Sequence, residues 1–208
     1  YEYNIRTKEK KIVKEQIVPS GHNRDDYIVE RLECDSHDGQ KIPMTITYHK
    51  KTKIDGSAHV LLYGYGSYGS SMWPAFSTSK FSLIDRDIIW VTCHIRGGME
   101  RGMKWWRDGK MMNKKNTFKD FISCANFLIE KKYTSKKKII AFGGSAGGLL
   151  VGNVVNQIPH LLLGAIMAVP FVDNLTTNMD HSLPLTVGEL REFGLSLIHI
   201  SEPTRHES

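Results

Sequence analysis

The feature that most limits this chain is a serine in a glycine-rich turn between an apolar strand and an apolar helix. Residues 138–142 read as the strand and residues 146–157 as the helix, with Gly143-x-Ser145-x-Gly147 between them. Strand, sharp turn and helix make the geometry of a nucleophile elbow. Such a turn holds its serine in a strained backbone conformation, with the hydroxyl exposed above the sheet. Side chains at 143 and 147 would collide as strand and helix converge, so glycine is needed there. The helix N-terminus adds positive potential and N–H groups near the reacting oxygen. Glycine-rich strand-to-helix turns also occur in nucleotide-binding domains. The spacing here is not Gly-x-Gly-x-x-Gly, and no Gly-x-x-x-x-Gly-Lys-Ser occurs.

The flanking pattern predicts an α/β protein. Residues 1–5 and 12–18 read as short strands around a charged turn, and 19–26 as a polar boundary. Residues 27–34 and 42–49 form the arms of an antiparallel hairpin turned at Asp38-Gly39. Then come strand 59–63, a glycine-rich loop at 64–69, helix 76–85, strand 88–94, helix 117–131, strand 138–142, helix 146–157 and strand 164–169. Thr117 with Asp120 resembles a capping box at the start of its helix. Strands alternating with helices imply a parallel sheet covered on both faces.

Charge and cysteine content narrow the function classes. The net charge is +6, carried largely by lysine runs at apparent element ends, and no nucleic-acid motif accompanies them. Nucleic acid is therefore not an expected partner. No apolar run approaches the roughly 20 residues of a membrane span, so no membrane is expected either. Cys34, Cys93 and Cys124 include no Cys-x-x-Cys and are odd in number. They read as free thiols in a reducing, cytoplasmic compartment, with Cys93 and Cys124 in apolar runs as buried small hydrophobes. Nothing in the sequence asks for a metal or a cofactor.

Several segments together resemble the prolyl oligopeptidase family of serine peptidases. They are residues 62–69 (LYGYGSYG), 94–98 (HIRGG), 115–121 (KNTFKDF) and 143–149 (GGSAGGL). Residues 169–173 (VPFVD) and 185–189 (LTVGE) point to its oligopeptidase B branch. Met99 departs from the glycine run that the family usually continues after Arg96, which implies a changed loop. The resemblance implies an incomplete α/β-hydrolase fold preceded by the last strands of a β-propeller. Residues 1–20 would end the propeller, 21–194 would be the N-terminal part of the catalytic domain, and 195–208 a non-native tail. That tail resembles an in-frame translation of a sequencing-library adapter, and it is expected to pack against nothing specific.

Site residues follow from the motif and the resemblance together. Ser145 is the expected nucleophile and the Ala146 N–H one oxyanion donor. By resemblance, the Tyr65 hydroxyl is the second donor, while Tyr63 and Tyr68 are packing or pocket-wall residues. Also by resemblance, Glu189 is the carboxylate of a pocket for Arg or Lys side chains, and Phe171 is its wall. Short peptides with basic residues are the implied substrates. Arg191 could compete for Glu189. The fold's order is Ser, then Asp or Glu, then His. The acid and base are expected beyond this chain, with Asp173, Asp180, His160 and His181 poor substitutes. The chain alone is expected to be inactive. An esterase or lipase-like hydrolase uses the same elbow, and a non-catalytic propeller-type binding protein is the reading of a different class.

Overall fold

The computed structural model describes residues 1–15, 17–19, 21–180 and 182–194. The expected tail at 195–208 and His181 lie outside the described residues. The chain opens with β1 (Glu2–Tyr3) and β2 (Lys10–Lys11), an antiparallel pair forming its own two-stranded sheet. The second strand was expected at 12–18 and instead forms earlier. The Asn4 side chain accepts the amides of Arg6 and Thr7, and its carbonyl accepts Lys8 N–H. That local turn closes the hairpin before residue 12, by the competition that Asn side chains offer the backbone.

Six strands build the main sheet: β3 (Tyr27–Asp35), β4 (Lys41–His49), β5 (His59–Tyr63), β6 (Ile88–Cys93), β7 (Ile139–Gly144) and β8 (Leu162–Ala168). Their order is β3-β4-β6-β5-β7-β8. β3 and β4 pair antiparallel as the hairpin predicted from Asp38-Gly39, and β4 meets β6 antiparallel. β6, β5, β7 and β8 run parallel. Among the described residues the α-helices are α1 (Thr78–Ile84), α2 (Met103–Arg107), α3 (Lys114–Glu130), α4 (Ala146–Gln157), α5 (Asn174–Met179) and α6 (Thr186–Phe193).

Alternation along the strands sorts the two faces. Ile42, Met44 and Ile46, Val60 and Leu62, Ile89 and Val91, and Ile139 and Ala141 all point into one core. α3 and α4 close that core with Phe118, Phe121, Leu128, Leu150 and Val154. The three cysteines are reduced and buried in the same core, with Cys34 Sγ 3.7 Å from Cys124 Sγ. Contact with Cys124 and burial push the Cys34 thiol well above its ordinary pKa, and burial does the same to Cys124. Both therefore behave as small hydrophobes.

Two expectations fail here. The helix expected at 117 starts at Lys114, with Asn113 at the N-cap position, so Thr117 and Asp120 are not a capping box. They face inward: Thr117 Oγ1 donates to the carbonyls of Arg96 and Gly109, and Asp120 receives Arg96. The expectation of a sheet covered on both faces also fails at β8. Only its first residue is buried, and Leu163 is 54% exposed. Among the described residues, β8 has a strand neighbour on one side only, and the helices leave most of it bare.

Candidate active site

β5 and β7 are adjacent and parallel, with Tyr63 opposite Phe142. Their C-terminal ends therefore open on the same edge of the sheet, and the loops that follow them meet. After β7 the chain turns sharply at Ser145, which has φ 54° and ψ −120° and is followed directly by α4. A non-glycine residue in such a region costs about 1–3 kcal/mol and persists only where its surroundings enforce it. Here Ser145 N–H donates to the Ala168 carbonyl at 2.9 Å. The Ser145 carbonyl accepts the amides of Gly148 and Phe171 at 2.8 and 3.0 Å. The end of β8 and the segment after it thus fix the turn, and Ser145 stays exposed.

The two motif glycines serve different approaches. A Cβ at Gly143 would collide with the Gly147 carbonyl across the turn. A Cβ at Gly147 would lie 2.8 Å from the Gly64 carbonyl and 3.3 Å from the Tyr65 ring. Gly147 therefore admits the loop after β5, a closeness not read from the sequence. Tyr65 on that loop is half-buried and lies near the Ser145 side chain. Burial raises the phenol's pKa and the Ser145 contact partly offsets it. The direction is upward, so Tyr65 keeps its proton at neutral pH and remains a donor. Ala146 opens α4, where an N–H has no intrahelical acceptor.

The same loop reaches α6. Tyr68 donates to Glu189 Oε2 at 2.7 Å. Phe193, also on α6, has its ring 6.0 Å from Tyr68 and 5.6 Å from Phe171. Ser145, Tyr65, Tyr68, Phe171 and Glu189 thus belong to one cleft. Tyr63 sits apart, packed on Phe142 and Trp90. Arg191 is exposed and makes no ion pair with Glu189 among the described residues. Helix residues two apart do not face each other, so the expected competition has no geometric basis. Met99 lies over Gly69 at the end of the Tyr65 loop, which is where its departure from the glycine run is felt.

Sequence reading missed two polar networks that hold this cleft. Lys114 and Glu192 form a buried pair between the Tyr65 loop and α6. Arg96, 2% exposed, grips the fully buried Asp120 with Nε at 2.8 Å and Nη2 at 2.6 Å, and also binds Asp38. The Arg96 carbonyl lies against Gly66 in the Tyr65 loop. A buried pair broken on one side costs about 3–5 kcal/mol. Asp120→Ala is accordingly expected to lose that much stability in urea denaturation, against under about 1 kcal/mol for the exposed Lys104–Asp108 pair. Equal losses would show that Arg96 is not held by Asp120. The remaining candidates lie elsewhere. His160 follows the far end of α4, and Asp173 caps α5 by accepting Thr176 N–H at 3.1 Å.

The chain matches the prolyl oligopeptidase family over residues 74–198. It is 46% identical to dipeptidyl aminopeptidase BI of Pseudoxanthomonas mexicana, over 93% of this chain and 27% of that protein. It is 45% identical to protease 2 of Moraxella lacunata, over 92% and 28% respectively. Its fold superposes on oligopeptidase B of Trypanosoma brucei, solved in a closed form with covalently bound antipain, with a TM-score of 0.87 and 40% identity. That match covers 93% of this chain and 27% of that one. The chain thus spans little more than a quarter of the length of these relatives.

Proposed function

This chain belongs to the prolyl oligopeptidase family, and from that premise we propose that the protein is a serine peptidase cleaving short peptides after arginine or lysine. Ser145 is the nucleophile. Its Oγ attacks the scissile carbonyl carbon, and its proton passes to a base that the described residues do not supply. The carbonyl oxygen becomes an oxyanion held by the Tyr65 hydroxyl and the Ala146 N–H. The amine then leaves with a proton, and water releases the acyl group from Ser145. Glu189 and Phe171 receive the basic side chain.

One observation carries this reading: Gly147 brings the Tyr65 loop against the Ser145 turn, so that the exposed serine and the Tyr65 phenol are neighbours in a cleft that also holds a carboxylate. A nucleophile, an oxyanion donor and a cation-binding group are what such a cleavage requires. Residues 1–20 are proposed as the end of a β-propeller and 21–194 as the first part of an α/β-hydrolase domain.

An esterase uses the same elbow, and the two readings part on substrate. The longer protein is expected to cleave Arg- and Lys-containing peptides in preference to simple acyl esters and to Leu or Pro peptides. Tyr65→Phe should lower its kcat by about 10²-fold, the worth of one oxyanion donor. Turnover of esters alone would favour the esterase. A full rate in Tyr65→Phe would remove Tyr65 from the mechanism.

A further inference from the structure

We infer that Lys114 and Glu192 form a buried strut that holds the Tyr65 loop against α6, making both of them positioning residues for the oxyanion donor. This rests on the reading of Tyr65 given above. An ammonium has three donors, and each finds an acceptor here. Lys114 Nζ donates to the Gly66 carbonyl at 2.7 Å, to Ser67 Oγ at 2.5 Å and to Glu192 Oε1 at 3.0 Å. The first two belong to the residues directly after Tyr65. The third belongs to α6, the helix that carries Glu189. The other oxygen of Glu192 accepts Trp106 Nε1–H at 2.8 Å.

The pair is sealed from water, with Lys114 9% and Glu192 1% exposed. Burying two charges brings little net stability compared with apolar residues of the same volume. What the ion pair supplies and an apolar contact would not is direction, since hydrogen bonds fix angles as well as distances. Glu189 and Glu192 are three apart on α6 and so share a face. That face meets the loop twice, through Tyr68 to Glu189 and through Lys114 to Glu192. The loop is also pinned from beneath, because a Cβ at Gly66 would lie 3.0 Å from the Arg96 carbonyl. Tyr65 therefore cannot shift relative to Ser145 without breaking Lys114 bonds.

The test is a double-mutant comparison in the longer enzyme, with an Arg-containing peptide as substrate. Lys114→Met should lower kcat by about 10²-fold, the scale of a small misplacement of a catalytic group. KM should stay within roughly threefold, since the lost contact acts in the transition state. In a Tyr65→Phe background the same change should cost no more than about threefold, because the donor it positions is already gone. Losses that multiply across the two sites would overturn the inference while leaving the function reading intact. A full rate in Tyr65→Phe would overturn the inference together with the reading of Tyr65 on which it rests. If Lys114→Met does not fold, Glu192→Gln keeps the volume and carries the same comparison. It should lower kcat in the Tyr65 enzyme and leave the Tyr65→Phe enzyme unchanged, and equal losses in the two backgrounds would sink the strut.

Discussion

Peptide hydrolysis by residues 1–208 alone is expected to run about 10⁶-fold below that of the longer enzyme, the scale seen when a triad member is removed. A serine hydroxyl is a weak nucleophile until a base accepts its proton. The sequence holds nine histidines, and none of the described ones faces Ser145. His94 is buried, with Nε2 2.8 Å from Thr45 Oγ1. His22 packs among Tyr27, Phe76 and Phe81. His37 contacts Ser36, and His49 accepts Lys51 N–H. His59 starts β5, at the end of the sheet opposite the Tyr65 loop. His160 follows the far end of α4, about 18 Å along the helix from Ser145 at 1.5 Å per residue. The other three lie outside the described residues. What remains is the elbow and the oxyanion donors, which by themselves leave about 10³–10⁴ over water. The measurement is steady-state hydrolysis of an Arg-containing peptide by the purified 208-residue chain. Robust turnover that Ser145→Ala abolishes would mean that a base within these residues does the work.

The parts of this molecule governed by local rules were legible in the sequence. The hairpin arms, β5 to β8 and the α4 helix follow from apolar periodicity and from turn chemistry at Asp38-Gly39 and Gly143 to Gly148. The Ser145 turn could be read because one short motif dictates its backbone. What escaped depends on contacts across the fold. Asn4 closes the first hairpin early by a side-chain bond that periodicity does not register. Thr117 and Asp120 fit a capping pattern, yet Arg96 from another loop claims them. Lys114 sits in a lysine-rich run that looks solvated, and only the fold brings Gly66, Ser67 and Glu192 around it. Glu192 is indistinguishable in sequence from Glu189. Its burial is set by the contacts with Trp106 and Lys114 that the fold brings around it. The short helices α2, α5 and α6 were missed for a related reason. Helices of five to eight residues have too few turns for periodicity to show.

Glu189→Gln in the longer enzyme is expected to lower kcat/KM for Arg peptides by about 10²- to 10³-fold, because a buried charge pair broken on one side costs about 3–5 kcal/mol. A guanidinium sheds its hydration on entering a pocket, and only a paired carboxylate restores much of that loss through charge-assisted bonds. Glu189 is suited to that role. It is half-buried, and Tyr68 holds one carboxylate oxygen at 2.7 Å. No cation neutralises it among the described residues, because Lys114 is committed to Glu192 and Arg191 is turned away into solvent. Phe171 stands beside Phe193 and is tied through its amide to the Ser145 carbonyl, so it offers a ring face near the nucleophile. A cation crossing that face gains a further cation–π attraction of about 0.5–2 kcal/mol. Gln keeps the size and one acceptor but removes the charge. An apolar peptide, which never uses the carboxylate, should therefore lose less than about threefold, within the range of uncoupled sites. Phe171→Leu should weaken Arg peptides by only about tenfold, since it removes the stacking and leaves the charge. Equal losses on Arg and apolar peptides in Glu189→Gln would make Glu189 a partner of Tyr68 and nothing more. The choice of basic residues would then have to be made elsewhere.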